Sequence, residues 1–241
     1  MTMRAYDVPV QEREFELSPD FSIASLDDDR MKQRTLSKAQ RAGLSQEDYI
    51  AMLGKVWDRR SEVPNKISEV ARMASAVEAP MLSHDDTRAD TRGYFRNLGA
   101  SVAEFPMVME AVEAARKHGD LIILGAPNAA RGGSHIGSVG AADLIEAGLC
   151  DALASDYFYP AMLAAIDRLD REKRADRVTL WSLLSSGPAR AMRLNDRGRI
   201  TIGSRADLVL VDWTNGQAPV IEGTWIAGRA AYRVRTQQHL N

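Results

Sequence analysis

The chain has a single cysteine, Cys150, in 241 residues, so no disulfide can close within it. Histidine is scarce too. His84, His118, His135 and His239 are all there are, which limits any imidazole-based metal or acid–base scheme before a motif is considered. No apolar run is long enough to read as a membrane span, and no stretch joins a basic start to an apolar core and a small-residue cleavage site. A cytoplasmic location is therefore expected. Neither sign of charge is in excess. Lys and Arg total 31 against 33 Asp and Glu, a formal net charge of -2, which gives no electrostatic reason to invoke nucleic acid or an anionic membrane. The expected partner is a small molecule. There is also no internal repeat, low-complexity tract or coiled-coil heptad. What is present is length and apolar content: 45% hydrophobic residues, enough to bury a substantial core as one or two domains.

The apolar residues are distributed in a rhythm. Phe21–Leu26 reads as a buried strand that delivers Asp27, Asp28 and Asp29 at its end. From about Ser45 to Val77 the apolar spacing is helical and interrupted near Pro64, which predicts two helices. Short apolar runs follow at Ala79–Ser83, Ser101–Glu104, Leu121–Leu124 and Ala152–Ser155. Helical stretches at Thr87–Leu98, Pro106–His118, Gly140–Ala147 and Tyr159–Leu169 lie between or after them. Such alternation predicts an α/β fold with a parallel sheet and right-handed crossovers. Beyond Gly187 the pattern changes to short β-type runs, Ile200–Ile202, Asp207–Val211, Pro219–Ile221, Trp225–Ile226 and Ala230–Tyr232, punctuated by glycines. They predict a small antiparallel sheet, and a division into residues 1–196 and 197–241.

The strands end in polar groups: Asp27–Asp29, His84–Asp86, Glu104, Asn128 and Asp156. In a β/α barrel the active site is built at those ends. His84 followed by Asp85 offers a metal-binding imidazole with a carboxylate to fix its tautomer, although Asp85, Asp86 or Thr87 would serve equally as a helix cap. Asp156 reads as a metal ligand or a proton-accepting base, or again as a cap. The segment Gly125–His135 reads as a glycine-bearing loop in which Arg131 grips an oxyanion, or as a plain connector with an exposed arginine. Glu104 is a weaker candidate. His118, at a predicted helix end, and His239, near the C-terminus, are not expected to function. Asp207 reads as a structural hydrogen-bonding group and Cys150 as a small buried hydrophobe.

Taken in order, Ser83-His84-Asp85-Asp86-Thr87, Ala103-Glu104-Phe105-Pro106, Gly125-Ala126-Pro127-Asn128 with Arg131-Gly132-Gly133-Ser134-His135, and Ser155-Asp156-Tyr157 resemble the motifs of the phosphonate-metabolism hydrolases of the amidohydrolase superfamily. Gly187-Pro188-Ala189-Arg190 and the stretch from Gly198 to Val209 are similar to the superfamily at large. The resemblance implies an incomplete TIM-type (β/α) barrel with a C-terminal antiparallel β subdomain. It implies a hydrolase that converts the 5-triphosphate of ribose 1-methylphosphonate to the monophosphate with release of pyrophosphate. It also implies a divalent metal, zinc with manganese or iron as alternatives, held by His84, Asp156 and Asp28, with Asp156 and Asp85 as catalytic groups. Arg131, Ser134, His135, Asn128 and Glu104 would contact a small phosphorylated substrate. The superfamily's His-x-His pair is absent from these 241 residues, and Asp28 stands where a histidine is expected. The chain is thus expected to be part of a longer product or an inactive short relative. Exposed strand edges would favour a homo-oligomer. A cyclic amidase or deaminase of the same superfamily, and a non-catalytic subunit of a phosphonate-processing assembly, are the alternative readings.

Overall fold

Five parallel strands, each laid beside the one before it, form the main sheet of the computed structural model, which describes residues 2–4, 29–132, 140–214 and 217–234. They are β1 (Thr2–Arg4), β2 (Leu82–His84), β3 (Val102–Glu104), β4 (Leu121–Gly125) and β5 (Ala152–Ala154). Spatial order follows chain order, the winding of a barrel wall. The expected strand at 21–26, with Asp28 beyond it, lies outside the described residues. The sheet's first strand is instead Thr2–Arg4, too short to display a period in the sequence.

Helices α1 (Asp29–Ala42), α2 (Gln46–Asp58) and α3 (Val63–Ala76) precede β2. Pro64 sits in the first turn of α3, where its missing N–H is one that no helical carbonyl would have bonded. Further along come α4 (Ala89–Asn97), α5 (Met109–Lys117), α6 (Ala126–Arg131), α7 (Ala141–Glu146), α8 (Ala161–Arg171), α9 (Arg177–Ser182) and α10 (Ser186–Ala191). Helix α5 starts three residues later than Pro106 predicted. Phe105 has a left-handed φ of 55°, and the amide of Met107 is held by the carbonyl of Asp86 at 2.9 Å.

Strand alternation divides the apolar side chains between two faces. Leu82, Val102, Ile123 and Ala152 share one face with Ala191. Ala103, Ile122, Leu124 and Leu153 occupy the other, beneath Val112, Ala115, Leu144, Ile166 and Leu169 of the helices. Each fully buried Leu or Ile here contributes about 1.5–3 kcal/mol, so the helix-covered face carries most of the stability. At Gly187 the start of α10 presses on the entry to β5. A Cβ would stand 1.8 Å from the carbonyl oxygen of Asp151, so only glycine permits the approach.

The second sheet is antiparallel, in the order β6 (Leu208–Asp212), β7 (Val220–Ile226), β8 (Arg229–Arg233). The two runs expected at 219–221 and 225–226 are one strand. Gly223 does not break it, because the Trp225 ring lies where a side chain on Gly223 would be. Ile200–Ile202 is not a strand; both isoleucines are exposed, Ile200 in irregular chain and Ile202 in a turn. Asp207 fills its expected structural role, accepting from the amide of Ala227 at 2.8 Å and pairing with Arg197 and Arg205. Among the described residues no helix is long and apolar enough to cross a membrane.

Candidate functional site

The last residues of β1, β2 and β3 stand level: Arg4 pairs with His84, and His84 with Glu104. In parallel strands register partners project to the same side. His84 and Glu104 therefore share the face of Leu82 and Val102, which Ala191 of α10 also touches, opposite the main helix layer. The Nδ1 of His84 lies 2.9 Å from Asp85 Oδ2, with both side chains largely shielded. A carboxylate so placed would favour the tautomer protonated on Nδ1, which would leave Nε2 as the nitrogen for a metal or a proton. The ring of Phe105 meets the imidazole edge-on at 5.0 Å and 72°.

Three residues just past strand ends adopt left-handed backbone: Asp85 (φ 61°), Phe105 (φ 55°) and Asp156 (φ 50°). The turn is tied to the neighbouring strand in two of them, by Asp85 N–H to the Glu104 carbonyl at 3.0 Å and Phe105 N–H to the Ile123 carbonyl at 2.9 Å. No side chain among Asp85, Asp86 and Thr87 caps α4, whose N-cap position is Arg88; that of α8 is Pro160, four residues beyond Asp156. The cap alternatives for these residues are therefore set aside.

Behind His84, on the helix side of the sheet, lies a cluster that the sequence did not reveal. Ser83 Oγ donates to Asp86 Oδ2 at 2.5 Å. Arg92 of α4, 1% exposed, reaches the same oxygen at 3.3 Å and the carbonyl of Val102 at 3.3 Å. It also bonds Ser83 Oγ and the Ala100 carbonyl. Its Nε lies 3.3 Å from Asp120 Oδ2, and Asp120 is bound on its other oxygen by Arg96. Burial pushes the Asp86 carboxyl above its ordinary value, while the Ser83 hydroxyl and the Arg92 charge pull it back. The available signal was an arginine three residues before Phe95, on the stripe that α4 buries.

The segment read as a loop around Arg131 is helix α6 up to that residue. Pro127 occupies the first turn and Gly132, at φ 84°, closes the C-terminus. A Cβ on Gly132 would stand 2.4 Å from the guanidinium of Arg168, itself bonded to the Ala129 carbonyl at 2.9 Å. Arg131 extends to the surface, donating to the Tyr157 hydroxyl at 2.8 Å and to Asn128 Oδ1 at 3.2 Å. Asp156 is exposed beside Tyr157. Asp28, Ser134, His135 and His239 lie outside the described residues. His118 ends α5 in an exposed position, with no part in the site. Cys150 is only half-buried as a residue, but its Sγ donates to the Ala152 carbonyl at 3.2 Å, and burial pushes the thiol up to about 12.

The candidate metal ligands do not converge. His84 and Asp156 follow strands three positions apart, roughly 14 Å along a sheet with ~4.8 Å between strands. Among the described residues no three His, Cys, Asp or Glu side chains gather to hold an ion. His84 and Glu104 supply part of a donor set, and the described residues alone do not complete a metal site.

Comparison with known proteins places this arrangement. The amidohydrolase family matches residues 60–232. The alpha-D-ribose 1-methylphosphonate 5-triphosphate diphosphatase of Escherichia coli (strain K12) is 37% identical over 190 residues, covering 78% of this chain and 48% of that protein. This chain thus spans about half the length of that relative. Among solved structures, a prolidase complexed with N-methylphosphonate-L-proline superposes with a TM-score of 0.54 at 16% identity, over 70% of this chain and 48% of that one. A D-hydantoinase from Thermus sp. gives 0.52 at 13%, over 70% and 60%. At such identities these structures speak to the fold alone, and it is that of amidohydrolase barrels, of which the five-stranded sheet is an incomplete wall.

Proposed function

Because this chain belongs to the amidohydrolase family, we propose that it carries the later strand ends of a phosphonate-metabolism hydrolase that acts on ribose 1-methylphosphonate 5-triphosphate and releases pyrophosphate. The observation that carries this reading is Arg131. Both of its side-chain partners are neutral, and among the described residues no carboxylate pairs with it, so its charge is left for an anion. A neutral cyclic amide offers that charge no anion before its bond is cleaved, whereas a triphosphate offers one from the start.

In this reading Arg131 and Asn128 steady a phosphate-bearing substrate, with Ser134 and His135 further along the same segment. Asp156, exposed next to them, takes the proton of the water that cleaves the phosphoric anhydride, and pyrophosphate leaves with the bonding electron pair. Asp85 holds the His84 ring, and Glu104 faces the same space. A divalent ion, zinc before manganese or iron, would be held at His84 or at Asp156 but not by both, with further donors, such as Asp28, that the described residues do not include. The whole enzyme is proposed to be cytoplasmic and a homo-oligomer.

The test is direct. Purified protein is incubated with ribose 1-methylphosphonate 5-triphosphate and divalent metal, and pyrophosphate is followed by phosphorus NMR, alongside hydantoins and nucleobases. Pyrophosphate release that falls on Arg131→Met, through KM, is the expected result. Hydrolysis of the cyclic amides with none of the triphosphate would overturn the proposal.

A further inference from the structure

Tyr157 belongs to no motif role assigned so far, yet it is the residue that holds Arg131 in place. The two come from consecutive β/α units: Arg131 ends the helix after β4, and Tyr157 lies in the turn after β5, with Gly125 and Ala154 in register between the strands. Their hydrogen bond therefore bridges two strand ends across 26 residues of chain. Tyr157 is 67% exposed, so its ring is not there to fill the core.

Among the described residues Arg131, like Arg72, Arg193, Arg199, Arg229 and Arg233, has no carboxylate partner, and it differs from those in being held by two neutral side chains. Arg88, Arg116, Arg177 and Arg197 each sit on a carboxylate, at 2.7, 3.0, 2.8 and 2.8 Å respectively. Arg131 is oriented by a phenol and an amide, which fix its position without neutralising it. Of the five N–H groups that a guanidinium offers, these contacts engage two. The phenol accepts from Arg131, so its own O–H proton remains to be donated.

We infer that Arg131 and Tyr157 form a two-part clasp for a phosphoryl or phosphonate group at the ends of β4 and β5, with Tyr157 as a binding residue in its own right. This rests on the phosphate-handling reading above. A carboxylate would be satisfied by the guanidinium edge alone; a tetrahedral dianion has a further oxygen for the phenol proton. The clasp would serve either the polyphosphate or the phosphonate end of a substrate, and the choice of anion separates them.

The experiment is calorimetric titration of the full 241-residue chain with inorganic pyrophosphate, with methylphosphonate, and with acetate as a control. The clasp predicts that Tyr157→Phe weakens the preferred anion about tenfold and Arg131→Met about a hundredfold. The double variant should be no weaker than Arg131→Met, since the phenol acts only on an anion that the guanidinium holds. Acetate binding should not respond to Tyr157→Phe, and thermal melts should not shift, both side chains being exposed. Preference for pyrophosphate assigns the clasp to the polyphosphate end, and preference for methylphosphonate to the other. If Arg131→Met weakens binding and Tyr157→Phe does not, the clasp is wrong and the phosphate reading stands. If neither variant matters, or the unaltered chain binds neither anion, both fall.

Discussion

Replacing Arg92 with methionine removes the cation at the centre of a buried cluster while keeping much of its aliphatic stem. In the folded chain that guanidinium touches Ser83, Asp86, Asp120 and the carbonyls of Ala100 and Val102, all out of water. After the change Asp120 keeps Arg96 and Asp86 keeps the Ser83 hydroxyl, but two backbone carbonyls lose their donor and Asp86 loses its counter-charge. Removing one partner of a buried pair costs about 3–5 kcal/mol, partly offset because arginine no longer has to be desolvated. A net loss of about 3 kcal/mol is a large share of the 5–15 kcal/mol typical of a domain.

The loss should also depend on pH. Burial already places the folded-state value of Asp86 above its reference of 3.8, and without Arg92 it goes higher still. A carboxyl raised on folding contributes stability that is full below the unfolded value and is lost as pH rises through the folded one. The deficit of Arg92→Met should therefore be smaller near pH 5 than near pH 8. Urea unfolding followed by circular dichroism at both pH values measures this, with the midpoint lowered and the slope unchanged. Arg96→Met, at a partly exposed side chain, should cost about 1 kcal/mol or less. A loss below about 1 kcal/mol for Arg92→Met, or one indifferent to pH, would refute the reasoning, because the cluster would then be no better than the apolar packing that replaces it.

Gly187→Ala should cost about 3 kcal/mol, the upper end of overpacking losses, because its Cβ would meet a backbone oxygen that cannot step aside; a near-normal melting temperature would count against the close approach. Gly132→Ala combines left-handed backbone with displacement of Arg168 from the Ala129 carbonyl, for an expected loss of about 1–2 kcal/mol in thermal unfolding. Cys150, its thiol pushed up to about 12, is protonated at neutral and mildly alkaline pH, so iodoacetamide should label it in denaturant but not in the native protein. Rapid native labelling would show that the thiol is not shielded.

The parallel sheet was legible because each inner strand is a short apolar run between helical stretches, as Leu121–Ile122–Ile123–Leu124 shows. His84 and Glu104 were legible for the same reason: polar residues at the ends of apolar runs are where the chain leaves the sheet. Helix α6 was misread because Gly132 and Gly133 suggested a loop throughout, whereas Pro127 and Gly132 are the start and stop of a short helix. Gly223 misled in a similar way, since the side chain that compensates for it, Trp225, is two residues along the same strand. The Arg92 cluster depends on residues from α4, two strands and the entry to a third. No local pattern announces it, apart from a charge on a buried stripe.

Asp85 and Asp156 lie between a strand end and the next helix, where a capping role is the simplest expectation. Aspartates just before helices are ordinarily caps, stabilising by about 1 kcal/mol through a bond to the first turn. Here neither Asp85 nor Asp156 makes such a bond, and both stand in left-handed backbone, a conformation that costs a non-glycine residue of order 1 kcal/mol. Elsewhere in the chain the left-handed non-glycine residues Glu78, Lys173 and Arg193 end helices, where that geometry closes the last turn. At Asp85 and Asp156 no helix end accounts for it; each stands just past the end of a strand, as Phe105 does. Asp85 reaches the His84 ring from that turn. Asp156 makes the same turn three strands away, beside the Arg131–Tyr157 pair. Phe105, one strand on from Asp85, makes the same turn without a carboxylate, its amide tied to the Ile123 carbonyl as that of Asp85 is tied to Glu104, so the turn belongs to how these strands end, and a catalytic role for the two carboxylates belongs to the function proposed above.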